Sequence, residues 1–220
     1  MKVKLSTAAA LKSLKTSLLI YAGVLFTVLA SMFGLVFEPE RQLGGQELAD
    51  VVVDPVLGTM GEYPVPLDYT EELGRRVYQS MGCIYCHSQQ VRPEGFGADI
   101  DRGWGNRRTV SRDYLFDSPH LLGTMRTGPD LANIAVRQPS YDWHHLHLYD
   151  PRITSPGSTM PAFRFMYRKG QLRSGEELPR GAIALPETNG EYIVPNERAQ
   201  QLFRYLMTLD KRAPLPEASR

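Results

Sequence analysis

Cys83-Ile84-Tyr85-Cys86-His87 reads C-x-x-C-H, the spacing of a c-type haem attachment site. In such a site two thiols bond the haem vinyl groups and the adjacent histidine ligates the iron. Residues three and four apart share a helix face, so Cys83, Cys86 and His87 can all be presented to one porphyrin. The chain has two cysteines, and both are in this stretch. A dithiol redox motif does not call for a histidine directly after its second cysteine. A structural zinc site takes four protein ligands, often from a second pair, and no further cysteine exists to supply one. A chance occurrence of the pattern is the third alternative.

The N-terminus says where this motif sits. Residues 17–37, Ser-Leu-Leu-Ile-Tyr-Ala-Gly-Val-Leu-Phe-Thr-Val-Leu-Ala-Ser-Met-Phe-Gly-Leu-Val-Phe, carry no charge. As a helix they would span roughly 31 Å, enough to cross a bilayer core. Lys2, Lys4, Lys12 and Lys15 precede the run, and Glu38, Glu40 and Glu47 come after it. The bias of positive charge toward the cytoplasm then keeps residues 1–16 inside and exports the chain beyond residue 37. A cleaved signal peptide is the competing reading, with Val28-Leu29-Ala30 as a small-residue cleavage site. The apolar run continues past it through Met32, Phe33, Leu35, Val36 and Phe37, longer than a usual signal sequence, and this favours an anchor in the lipid bilayer.

Composition agrees with an anchored globular domain. Of 220 residues 42% are hydrophobic, and the formal charge is +1. Without the four N-terminal lysines there remain 21 basic and 24 acidic residues, which is no footprint for nucleic acid. Sixteen prolines and nineteen glycines imply a loop-rich fold. A bound porphyrin would supply such a fold with a large apolar body to pack around.

Residues 38–68 read as a linker, interrupted by Gly44-Gly45, Pro55, Gly58, Gly61, Pro64 and Pro66. A helix is predicted from Thr70 as N-cap, with Glu71 and Glu72 in its first turn and an apolar stripe of Leu73, Val77 and Met81. Gly82 breaks it just before the haem motif. A second helix is predicted after Asn196 as N-cap, with Ala199, Leu202, Phe203, Leu206 and Leu209 repeating at three to four. Between them no period-2 stretch argues for a sheet, and loops with short helices are expected, one near Asp142 to Leu148. The haem domain is thus assigned to 69–212, with a tail at 213–220.

A helix carrying Gly74-Arg-Arg-Val-Tyr78, then Gly82 and C-x-x-C-H, then a last helix with Tyr205-Leu206, resembles the class I cytochrome c pattern. The implied fold is mainly α and loop-rich, behind one N-terminal transmembrane helix. The resemblance makes Gly74 and Tyr205 the crossing point of the first and last helices. Cys86-His-Ser-Gln89, Arg92-Pro93, Arg126-Thr-Gly-Pro-Asp-Leu131, Asp142-Trp-His-x-x-His147-Leu, Asp150-Pro-Arg152 and Ser158-Thr-Met-Pro-Ala-Phe163 occur in this order. With the anchor, they resemble the mono-haem cytochrome c subunit (subunit II) of cbb(3)-type cytochrome c oxidases. The match covers roughly 68–167. Residues before Tyr69 do not align, and 168–195 form a Pro/Gly-rich loop where the family is more helical.

The resemblance implies one covalent haem c on Cys83 and Cys86, with His87 as proximal ligand and Met160 as distal ligand. A thioether opposite imidazole raises the potential. Met125 and Met166 are the other candidates, and core packing is the ordinary role of a lone methionine. Pro129 would offer its carbonyl to the second N–H of His87, fixing the ring. Six arginines lie between His87 and Leu131, namely Arg92, Arg102, Arg107, Arg108, Arg112 and Arg126. Arg92 and Arg126, within the family-like motifs, are the first candidates for haem propionates. Six acidic residues share the segment, so a solvated surface is the other reading. His144, His145 and His147 invite a metal, yet no third ligand is evident, and packing or hydrogen bonding is the expected role.

The implied function is electron transfer, without catalysis of its own, to a haem–copper catalytic subunit on the outer face of the bacterial inner membrane. A di-haem cytochrome c is the expected further partner. A nitric oxide reductase cytochrome subunit, an anchored carrier without fixed partner, and a peroxidase-like haem with an open iron position are the alternatives.

Overall fold

The computed structural model describes residues 7–54 and 59–218. Lys2 and Lys4 lie outside them. The chain divides into two compact units, Met1–Glu47 and Leu48–Arg220.

The first unit is helical. Helix α1 spans Thr7–Met32, a π-helical turn covers Phe33–Phe37, and α2 runs over Glu38–Leu43. The stretch Leu11–Leu43 is long and apolar enough to cross a membrane, so the helix extends beyond the charge-free run that ended at Phe37. Pro39 sits in the first turn of α2, where its missing N–H breaks an i→i−4 ladder. The register widens just before it, with the Glu38 N–H bonding to the Phe33 carbonyl five residues back. Leu18, Phe26, Leu29 and Phe33 all point outward, as lipid-facing side chains do.

The second unit starts where a linker was expected. Strand β1 (Ala49–Asp54) pairs antiparallel with β2 (Thr59–Tyr63), Ala49 opposite Tyr63. Val51 from this hairpin packs with Val110, Leu215 and Ala218 in a small cluster of its own. The expected tail is therefore also part of the fold, at least to Ala218. Arg107 Nε donates to the Ala213 carbonyl at 2.7 Å, and Arg112 pairs with Glu217 at 2.6 Å. Beneath them Asp113 is buried, accepting two bonds from Arg107 (2.9 and 2.7 Å), one from the Val110 N–H (2.8 Å) and one from the Tyr63 hydroxyl (2.6 Å).

Helix α3 spans Tyr69–Ser80. Its N-cap is Asp68 rather than Thr70. The Asp68 carboxylate accepts from Glu71 N–H at 2.7 Å, and the Glu71 side chain accepts from Asp68 N–H at 2.8 Å. This reciprocal capping box satisfies two donors where Thr70 would satisfy one. The buried face is Gly74, Arg75, Val77 and Tyr78, rotated from the Leu73–Val77–Met81 stripe. Arg75 is drawn in because its guanidinium caps the carbonyls of Ser118 and Pro119.

Two short helices come next, α4 (Ile134–Arg137) and α5 (Tyr141–Tyr149). Strands β3 (Tyr167–Gln171), β4 (Ile183–Ala184) and β5 (Glu191–Pro195) then form a sheet in the order β3-β5-β4. This corrects the reading of 168–195 as a loop. The sheet is antiparallel throughout, with Tyr167 opposite Pro195 and Ile183 opposite Ile193. Helix α6 (Glu197–Met207) begins after Asn196, whose side chain accepts from the Ala199 N–H at 3.1 Å.

Helices α3 and α6 meet at Gly74. A Cβ there would lie 1.9 Å from the Gln201 carbonyl oxygen and 2.8 Å from Tyr205 Cβ. Glycine lets the two backbones touch, and the Tyr78 and Tyr205 rings pack beside the contact at 5.5 Å. The main core runs outward from here through Leu202, Leu206, Leu131, Ile134, Phe163, Met166 and Ile193.

Candidate functional site

Met81 caps the C-terminus of helix α3, and Gly82 comes next with φ +75°. A left-handed residue at this point turns the chain sharply, which glycine does without a steric cost. Cys83–Tyr85 then form one 3₁₀ turn. The N–H groups of Cys86 and His87 both bond the Cys83 carbonyl, at 3.1 and 2.9 Å. This compact turn brings Cys83, Cys86 and His87 onto one wall of a cavity of about 680 Å³. The volume is that of a cofactor pocket.

The wall is mostly apolar: Tyr78, Met81, Leu131, Ile134, Leu148, Phe163, Leu202 and Leu206. Polar groups collect at Arg137, Gln138, His144, His147, Ser155, Ser158 and Thr159. Met160 arrives from a loop that starts beyond α5. Its backbone is held by Arg152, whose guanidinium donates to the Ser158 and Met160 carbonyls at 3.1 and 3.3 Å. Met125 is 59% exposed and Met166 is wholly inside the protein core. Neither lines the cavity, whereas Met160 does; Met81, next to the attachment turn, is the other methionine on the wall.

His87 is fixed from behind. Its Nδ1 donates to the Pro129 carbonyl at 2.7 Å, which leaves Nε2 with its lone pair free. Gly128 makes the approach possible, because a Cβ there would sit 2.3 Å from His87 Cε1 and 2.8 Å from Nδ1. The Gly128 N–H also bonds the Cys86 carbonyl at 2.9 Å. Burial holds the His87 pKa below the usual histidine value, while the Pro129 carbonyl works the other way. The ring is thus neutral near pH 7, as a metal ligand must be. Burial pushes the Cys83 thiol up to about 12, unlike the lowered thiol of a dithiol redox pair.

The two arginines expected at haem propionates are elsewhere. Arg92 pairs with Asp99 at 3.1 Å, and Arg126 pairs with the same carboxylate at 2.6 Å. Neither lines the cavity. Asp99 is fully buried, and a buried carboxylate claims nearby cations first. The arginine on the cavity wall is Arg137, at the end of α4. One of its Nη atoms donates to the Asp130 carbonyl, while its buried Nε has no partner among the described residues. Burial pushes its pKa down from the usual arginine value. A half-buried cation on the cavity wall, with an orphaned N–H, suits a carboxylate-bearing ligand. In sequence Arg137 falls beyond the arginine-rich stretch that ended at Leu131, and nothing in its spacing marks it.

The three clustered histidines are engaged by the protein. His144 Nε2 is bonded to the Gln138 carbonyl at 2.7 Å. His145 Nδ1 meets the Tyr167 hydroxyl at 3.0 Å, and His147 Nδ1 meets Thr154 Oγ1 at 2.6 Å. Trp143 stacks on His147 with centroids 4.6 Å apart. His144 and His147 both line the cavity, so they help to shape it.

The residues present therefore fit a haem: two cysteines and a neutral histidine on one wall, a methionine on the lining, and an unsatisfied arginine. A family model described as cytochrome c oxidase, mono-heme subunit/FixO matches residues 60–180. That range is more than half of the chain and contains the cavity's attachment turn, Arg137 and Met160. No curated protein matches the sequence.

Proposed function

Because the chain belongs to the family of mono-haem cytochrome c oxidase subunits, we propose that it is the subunit through which electrons pass to the oxidase's catalytic subunit. The observation that carries this reading is the shared cavity. Cys83, Cys86 and His87 occupy its wall together with Met160, more than seventy residues away in sequence. Haem, when bound, supplies reversible one-electron exchange.

The protein's own residues do the rest. Cys83 and Cys86 would tether the haem by thioether bonds, and His87 and Met160 would ligate its iron. Pro129 holds the His87 ring in one tautomer. Met160, a soft donor, favours the reduced state and sets a high potential. Arg137 offers its free Nε–H to a propionate. The apolar wall would keep water from the haem, and with His87 and Met160 both as ligands no iron position would be left open for oxygen chemistry. The close approach of α3 and α6 at Gly74 and Tyr205 supports reading this as a class I cytochrome c domain, with that contact as its helix crossing.

Within the membrane helix, Lys12 and Lys15 come before the charge-free run 17–37, and Glu38, Glu40 and Glu47 come after that run. The bias of positive charge toward the cytoplasm supports a cytoplasmic N-terminus, with the haem domain on the outer face of a bacterial inner membrane. There the chain would serve a cbb(3)-type haem–copper subunit as its electron donor, with a di-haem cytochrome c as the third component. The test is purification of the tagged chain from native membranes in mild detergent. The proposal expects a haem–copper catalytic subunit in the complex and reduction of this haem before the catalytic haems in rapid mixing. A nitric oxide reductase large subunit in its place would refute it.

A further inference from the structure

We propose that Arg126 is a positioning residue for His87, acting through Ser88, Gln90 and Asp130 rather than on the cofactor. The inference rests on the reading of His87 as the proximal ligand.

The bond from His87 Nδ1 to the Pro129 carbonyl joins two separate stretches of chain, 86–90 and 126–132. Its geometry is set by how those stretches are fastened. On one side of His87, the Gly128 N–H holds the Cys86 carbonyl. On the other, the fastening combines side-chain bonds with one backbone bond. Ser88 Oγ donates to Asp130 Oδ2 at 2.7 Å, and the Gln90 N–H donates to the same oxygen at 2.8 Å. The Leu131 N–H bonds the Ser88 carbonyl at 2.8 Å.

Arg126 closes this cluster. Its Nε donates to Ser88 Oγ at 2.7 Å, one Nη to the Gln90 carbonyl at 2.5 Å and the other to Asp99 Oδ1 at 2.6 Å. The guanidinium also lies 5.4 Å from the Trp104 ring centroid and 3.8 Å from the Asp130 carboxylate. Asp99 and Asp130 are both fully buried, so the cation in reach of both is needed where it is. A planar fork of five donors can serve Ser88, Gln90 and Asp99 at once, whereas a lysine ammonium, a point charge on a flexible stem, cannot hold all three in that geometry. Groups that orient a ligating histidine set its ring plane and basicity, and through them the metal's properties.

The test uses the full chain with its haem, purified in detergent. Two readouts are followed: solvent exchange of the His87 Nδ1 proton by NMR, and the reduction potential. Ser88→Ala removes the acceptor for Arg126 Nε and the donor to Asp130 while leaving the buried charges paired. It is expected to speed Nδ1 exchange about tenfold and to move the potential. Arg126→Lys is expected to do the same or more, without rescue. Tyr63→Phe loses a buried hydrogen bond at Asp113, outside this cluster, and is expected to leave both readouts at the wild-type values. Unchanged exchange and potential in Ser88→Ala and Arg126→Lys would overturn the proposal. So would equal changes in Tyr63→Phe, which would mean that the readouts follow general stability. Absence of iron-shifted His87 signals in the wild-type ferric protein would instead remove the ligand assignment, and the proposal with it.

Discussion

Gly74→Ala tests the packing that holds the cavity together. A methyl at this position would sit 1.9 Å from the Gln201 carbonyl oxygen, 2.6 Å from the Gln201 carbonyl carbon and 2.8 Å from Tyr205 Cβ. Two of these neighbours are backbone atoms of α6, so no side-chain rotation relieves the overlap. The helices must part by at least about 1 Å to bring the nearest contact to 3.0 Å. A gap of that size forfeits a quarter to a half of each dispersion contact along the seam. Overpacking of this kind costs about 1–3 kcal/mol and sometimes more, while alanine returns about 1 kcal/mol of helix propensity. Because the overlap is with backbone, the strain falls at or beyond the upper end, about 3–4 kcal/mol, and the net expectation is a loss of about 2–3 kcal/mol. For a domain of this size that lowers Tm by about 4–12 °C. Thermal unfolding of the haem-loaded chain, monitored by circular dichroism, measures it. The site should feel the change too, since α3 leads into Gly82 and Cys83 and α6 gives Leu202 and Leu206 to the cavity. A Tm equal to or above the wild type would refute the close contact of these helices.

Met160→Ala is expected to lower the reduction potential or leave the iron five-coordinate, read by optical spectrum and redox titration. Met166→Ala is expected to cost about 2–5 kcal/mol as a core cavity while keeping the six-coordinate spectrum, and the reverse pattern would exchange the two roles. Asp113→Ala should destabilise by about 3–5 kcal/mol in denaturant unfolding, because Arg107 is left buried without its carboxylate. His145 is buried and neutral, its pKa pushed down to about 4 by burial with a further push from His144. The unfolded chain binds that proton near 6.5, so stability is fully present above about pH 6.5 and falls as the pH drops toward 4. The loss from this residue is up to about 3 kcal/mol. His145→Leu should flatten the fall of the denaturation midpoint over that range, and parallel curves for the two proteins would refute the assignment.

How much of this was legible in the sequence varied with the range of the interactions involved. Cys83, Cys86 and His87 are local, and the turn that presents them arises from one glycine and two backbone bonds to Cys83. The N-cap at Asn196 and the short helix near Asp142 are local as well, and both appear where the pattern put them. The sheet was not legible. Strand β3 reads Tyr-Arg-Lys-Gly-Gln with one buried side chain, so it shows no alternation, and its register comes from pairing with β5 twenty residues on. Asp68 as N-cap was missed because Thr70 offers a similar signal, and the reciprocal bond with Glu71 decides between them. For the arginines, sequence gives the charge but not its claimant. Buried Asp99 takes Arg92 and Arg126, and Arg137 is left for the cavity.

The central claim is that this cavity holds one haem bonded to Cys83 and Cys86. Extraction of the purified, unfolded chain with acidified organic solvent tests it most directly, comparing wild type with a Cys83→Ala, Cys86→Ala double variant. The account predicts one haem per chain that stays with the wild-type polypeptide and is absent from or extracted from the variant. Haem that leaves the unfolded wild type, or that remains attached without the two cysteines, would contradict it.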